Sequence, residues 1–151
     1  MKKLILVSTI SILLSSSIFA ASNSKSVDVY GGIPPVSIEK MTFVELKKGL
    51  SRASVHGDMG SFGLFKAKKG VHIPSHFHLS ESLIYVHSGK VKFYIGEGDK
   101  TVEYIVNAGE TVLIKSNVPH GADTLEDSFF TISSSPVRKD WVNKTDSQLR
   151  Q

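Results

Sequence analysis

His76-Phe77-His78, within the run HFHLSES, sets two imidazoles two residues apart. On an extended chain, side chains at i and i+2 leave the same face, so this pair can grip one metal ion. Farther along the run, Ser82 offers only a neutral hydroxyl, a poor ligand for a dication, while Glu81 sits one place earlier and faces the other way in a regular strand. A third histidine, His120, follows a strand and a turn in AGETVLIKSNVPHGA, where a neighbouring antiparallel strand could return it to the pair. Three imidazoles suit zinc, copper, nickel, manganese or iron, with affinity alone favouring copper. The expectation is therefore one divalent transition metal ion, its identity open. His72 has the parity of His76 across Pro74 and is a candidate either to complete the site or to touch a small-molecule ligand. His56 and His87 read as surface or supporting groups.

These residues need a rigid frame, and the chain supplies short β-rich stretches: MTFVEL, GSFGLFKAK, SLIYVHSGKVKFYIG, TVEYIVNAG, ETVLIKS and SFFTISS. Turns at Ser88-Gly89-Lys90, Glu97-Gly98-Asp99 and Ala108-Gly109-Glu110 are spaced like the corners of an antiparallel sheet. Both parities are apolar over Leu83-Ile84-Tyr85-Val86 and over Val112-Leu113-Ile114, which predicts strands covered on both sides, as in a sandwich or small barrel. Only FVELKKGL and the tail DWVNKTDSQLR could form short helices, and the tail is polar enough to fray. The fold class is all-β, a single jelly-roll barrel with its ligand in the mouth or interior.

With 151 residues there is room for one domain of ordinary size. Met1-Lys2-Lys3 followed by LILVSTISILLSSSIFA reads as a secretory signal peptide over 1–20, which predicts export to the periplasm or outside the cell and no membrane association after cleavage. An N-terminal arm over 21–40, a barrel over 41–140 and a polar C-terminal tail over 141–151 follow. Of 18 Lys+Arg, Lys2 and Lys3 would leave with the signal, so 16 − 14 = +2 remains against 14 Asp+Glu. Without a basic cluster interleaved with aromatics, nucleic acid is not an expected partner. The absence of cysteine excludes disulfides, thiolate ligands and a thiol nucleophile.

The spacing resembles the cupins. Their first motif, from glycine through five residues to His-x-His, then to a Glu and a Gly, is matched by Gly70, VHIPS, His76, Phe77, His78, LSE, Ser82, LIYVHS and Gly89, with Ser82 where the acid would stand. Their second is matched at Gly109 and His120, while Lys115 and Asn117 replace Pro and Gly. The resemblance implies a jelly-roll barrel with His76, His78 and His120 as metal ligands. The fourth place could go to water, to Glu81 through a bulge, or to His72, with Ser82 also adjacent; an empty pocket is the remaining alternative. The chain also resembles the small pectin-degradation cupins that linearise unsaturated uronates. In that alignment the arginine falls on Arg138, a candidate to bind a carboxylate, but the acid falls on Ile132 and the aromatic on Ser134. A second resemblance is to secreted cupins of unassigned function. Three readings result: a metal-dependent enzyme (isomerase, lyase or oxygenase) acting on a small, sugar-acid-like molecule; a module that binds a small ligand or metal without turnover; or an apo interaction protein forming a homodimer through its N-terminal arm.

Overall fold

The computed structural model describes Pro35 and residues 37–150. The signal peptide expected over 1–20, and residues 21–34 and 36 of the arm, lie outside the described residues, as does Gln151. From Ser37, whose hydroxyl accepts a hydrogen bond from the Glu39 N–H, a single 3₁₀ turn at Ile38–Lys40 leads into the strands.

Ten strands follow: β1 (Val44–Lys47), β2 (Leu50–His56), β3 (Ser61–Ala67), β4 (His72–His76), β5 (Glu81–Ser88), β6 (Lys90–Ile95), β7 (Val102–Asn107), β8 (Thr111–Ile114), β9 (His120–Thr124) and β10 (Ser128–Ser135). They form a six-stranded sheet in the order β1-β2-β3-β10-β5-β8 and a four-stranded sheet in the order β4-β9-β6-β7, antiparallel throughout. This is the all-β jelly roll that the strand pattern predicts.

Period-two alternation selects the inward residues. On β5, Ser82, Ile84 and Val86 are buried while Glu81, Leu83 and Tyr85 face out. Phe65 of β3 stacks on Phe130 of β10 with centroids 5.2 Å apart, and Val91, Phe93, Val106, Ala122 and Ile73 close the core from the smaller sheet. Each such large side chain contributes about 1.5–3 kcal/mol through removal from water.

Several expectations need correction. Leu83, Tyr85 and Leu113 are exposed on the outer face of the larger sheet, so among the described residues the apolar parities are covered on one side only. FVELKKGL is not helical: β1 and β2 meet at a turn in which Gly49 takes φ +81°, a conformation that favours glycine. β2 and β9 escape the pattern because LSRASVH and HGADT are too polar and small to read as strands.

The tail differs most. Residues expected to fray instead fold back as a short helix α1 (Lys139–Val142) and a 3₁₀ turn at Ser147–Leu149, with Trp141 and Leu149 in the core and Asp146 fully buried. Asp146 accepts from Arg52 at 2.6 Å and from Arg150 at 2.7 Å. The guanidiniums of Arg52 and Arg138 lie 4.6 and 4.5 Å from the Trp141 ring centroid. Gly63 makes room for that indole, since a Cβ there would meet Trp141 Cζ3 at 2.7 Å.

Candidate metal centre

β4 is an edge strand and carries Pro74, which has no N–H to give a ladder. His72 pairs with Asp123 and Ile73 with Ala122, but His76 pairs with His120, so Pro74 and Ser75 oppose Gly121 alone. This two-against-one bulge switches parity. His76 therefore points into the barrel and His72 out of it, which corrects the shared parity read from sequence. Gly121 permits the close approach, because a Cβ there would lie 2.8 Å from the Ile73 carbonyl oxygen.

His78 follows the end of β4, and His120 opens β9 directly opposite His76. The turn before His120 is fastened to the His78 segment: the Asn117 N–H donates to the His78 carbonyl at 2.9 Å, and the Ser116 hydroxyl donates to the Leu79 carbonyl at 2.6 Å. Asn117 has φ +60°, so it supplies the left-handed conformation for which glycine stands in the resembled motif.

The three rings converge, with centroids 4.4 Å apart for His76 and His120, 4.8 Å for His78 and His120, and 5.9 Å for His76 and His78. Each Nδ1 lies against a backbone carbonyl: His76 on Pro74 at 2.9 Å, His78 on Ser80 at 2.7 Å and His120 on Val118 at 2.8 Å. A carbonyl can only accept, so each Nδ1 carries the proton and each Nε2 presents a lone pair. The ligand atoms lie within 4.8 Å of one another. Burial pushes the His120 imidazole down to about 3 and that of His78 to about 4, and lowers His76 as well, with the Arg138 charge acting in the same direction on all three. Neutral at physiological pH and held by their second nitrogens, these rings fit a borderline dication such as zinc, copper, nickel or iron.

The neighbours of the triad complete the picture. Ser82 points inward and Glu81 outward, with β5 in regular register there: Ser82 pairs with Ser134 and Glu81 with Ser135. Ser82 Oγ lies 2.8 Å from Ser134 Oγ, so a neutral hydroxyl pair stands where the resembled motif has a carboxylate. His72 is on the outer face, 2.6 Å from Asp123, away from the other three. His56 bonds Ser61 and Ser54, and His87 packs on Phe129 and Tyr85.

Arg138 is only 3% exposed and lines the interior beside the triad. Its Nε and Nη2 donate to Asp140 at 2.8 and 2.6 Å. Burial would raise the Asp140 carboxyl, but the bonds and charge of Arg138 outweigh it and hold the group below its ordinary value. Sequence reasoning missed Asp140 and Trp141. It sought an acid and an aromatic at Ile132 and Ser134, whereas the fold gathers those residue types from the two positions that follow Arg138-Lys139. The doublet Asp140-Trp141 was the available signal.

Two spaces meet at His78. Inside lies a cavity of about 40 Å³ that His76 and His120 also line. Outside lies a groove of about 550 Å³ walled by Phe77, Leu79, Lys139, Asp140, Thr145 and Gln148.

A jelly roll with three convergent imidazoles defines a class of metal-competent small β-barrels, and comparison with known proteins narrows it. Residues 63–130 match the family described as Cupin domain. An RmlC-like cupin from Shewanella frigidimarina shares the fold at 20% identity and a TM-score of 0.64, covering 70% of this chain and 93% of that one. KdgF from Halomonas sp. does so at 22% identity and 0.63, covering 70% and 96%. Bacillus subtilis oxalate decarboxylase, a protein with Mn(II) centres, matches at 18% identity and 0.61; the match covers 71% of this chain but 31% of that one. Among curated proteins none shows significant sequence similarity. The fold is that of the RmlC-like cupins.

Proposed function

We propose that the protein holds one divalent transition metal ion on His76, His78 and His120 and works as an exported, metal-dependent enzyme on a small oxygenated, sugar-acid-like molecule. The observation that carries this reading is the three unprotonated Nε2 atoms aimed at one another while every Nδ1 is spent on a carbonyl. Bound there, the ion would supply Lewis acidity for a carbonyl or hydroxyl. Water would complete its shell, with the Ser82 hydroxyl adjacent and Glu81 turned away.

The organic ligand approaches through the outer groove, whose volume falls within the usual ~300–1,000 Å³ range of ligand sites. Phe77 and Leu79, 67% and 73% exposed, offer an apolar floor for its C–H faces, and Lys139 faces its carboxylate. Asp140 stays ionised at neutral pH with both oxygens on Arg138, so it serves as the counter-charge that fixes the guanidinium beside the triad. Arg138 orients Asp140 and adds positive charge to the site.

A second reading, binding without turnover, draws on Ile132 and Ser134, which put neither an acid nor an aromatic at the two positions of the last strand where the resemblance places them. For either reading, the exposed Phe62, Leu83, Tyr85 and Leu113 support a homodimer through the outer face of the larger sheet. Export to the periplasm or beyond rests on the N-terminal sequence alone.

Elemental analysis of untagged protein, beside the His78→Ala/His120→Ala double variant, tests the metal. One equivalent is expected in the parent and none in the variant; equal content in both would end the proposal. Unsaturated uronates then separate the readings: ring-opened product by NMR means an enzyme, whereas calorimetric binding without product means a module.

A further inference from the structure

Assembling the triad leaves hydrogen-bond donors over in the barrel interior. Trp141 is 3% exposed, and its Nε1–H meets no acceptor among the described residues. The six-membered end of the indole abuts Gly63, where a Cβ would meet Cζ3 at 2.7 Å and Cη2 at 2.9 Å, so the pyrrole nitrogen lies on the side away from β3. The Arg138 guanidinium stands 4.5 Å from the indole centroid, and its Nε and Nη2 are spent on Asp140, which leaves Nη1 to donate. Both residues line the small cavity that the three histidines also line. Because a buried donor without a partner is costly, such donors beside one space point to an acceptor that the chain does not itself supply.

Charge gives the sign of that acceptor. A dication on three neutral imidazoles would bring two positive charges into a space where the described residues offer no free carboxylate. Ser82 and Ser134 are neutral and bonded to each other, Glu81 faces out, and both Asp140 oxygens are on Arg138. Buried charge is tolerated when it is paired. Water would answer the donors without adding charge, whereas an oxyanion does both. At about 40 Å³, with ~10–15 Å³ needed for each water-sized group, the space takes about three such groups, the size of the smallest carboxylate.

We infer that the metal centre takes an exogenous small carboxylate-type monoanion, of the size of formate, held in the interior by Trp141 Nε1–H and Arg138 Nη1–H and supplying the counter-charge that Ser82 does not. This deepens the metal reading proposed above and draws its tightest binding from it, while the two donors belong to the chain with or without an ion. The anion is distinct from the organic ligand of the outer groove, and Trp141 and Arg138 set its class by donating from a space too small for a sugar acid.

Trp141 is the only tryptophan, so its indole N–H gives a single NMR signal that reads this position alone. In the full-length protein at constant ionic strength, formate should move that signal to saturation with and without zinc, and zinc should lower the half-saturating concentration about tenfold. By reciprocity, formate should tighten zinc binding by the same factor. Trp141→Phe should remove most of that tightening while zinc still binds. Should that variant fail to fold, Ser82→Glu, which supplies a carboxylate from within the chain, should bind zinc with no help from formate. The two proposals fail separately. A formate-dependent indole signal in protein that takes up no zinc ends the metal reading and keeps the anion site, whereas zinc uptake with an indole signal indifferent to formate overturns this inference. An unchanged formate effect on zinc binding in Trp141→Phe or in Ser82→Glu would overturn it as well.

Discussion

Two polar clusters flank the barrel interior, and they are opposites. At the tail, Asp146 spends one carboxylate oxygen on Arg52 and the other on Arg150, and it has no exposed surface at all. At the triad, three neutral imidazoles keep their lone pairs open toward one point. Charges closed on each other within the chain hold structure together. Acceptors aligned and left without donors await something the chain does not contain. Burial alone would not separate the two, since His120 and Arg52 are nearly equally buried.

Breaking the closed cluster should have the largest effect. Asp146→Ala leaves Arg52 buried without its counterion and should cost about 3–5 kcal/mol by chemical denaturation. If this variant lost no stability while His120→Ala unfolded the metal-free protein, the contrast would be reversed.

The open cluster should respond to metal instead. A dication at a hundred times its Kd should stabilise the parent by about 2.7 kcal/mol and leave the His78→Ala/His120→Ala protein unmoved, as read by thermal shift. Equal shifts in both would mean that the ion binds elsewhere.

Acid should also tell the clusters apart. The folded His78 and His120 titrate near 4 and 3, and the unfolded chain near 6.5. Between those values the unfolded state binds more protons, so metal-free stability falls as pH drops from about 6.5 toward 3. Replacing both histidines by alanine should flatten that slope, whereas Asp146→Ala should leave this imidazole contribution in place. An unchanged slope in the histidine variant would assign the acid sensitivity to other groups.

Smaller effects sharpen the picture at the fourth position. Ser82→Glu should tighten metal binding about tenfold, ~1.4 kcal/mol, because residue 82 points inward. Glu81→Gln should leave the affinity unchanged, and a loss there by metal titration would mean that Glu81 reaches the ion.

The sequence carries the triad legibly because His-x-His has the strand period and His120 follows a recognisable turn. The barrel is legible for the same reason: alternation and glycine turns repeat along the chain. The tail is not legible, since DWVNKTDSQLR looks solvated until Arg52, 94 residues away, is brought to Asp146. Nor is the outer face, because alternation marks which residues share a side and not whether that side is covered. His72 was misread for a third reason: face is counted from a regular strand, and the strand is not regular there.

That irregularity makes the site's address depend on a count. Deleting Ser75 would remove no charge, no histidine and no core side chain, and the composition of the barrel would hardly change. Strict alternation with Ser75 in place would turn either His76 to solvent or Ile73 out of the core. Deleting Ser75 would instead set Ile73 and His76 two apart, so that a regular strand without the bulge would face both inward. Like a reading frame, the site depends on where the extra step falls and not on which letters surround it.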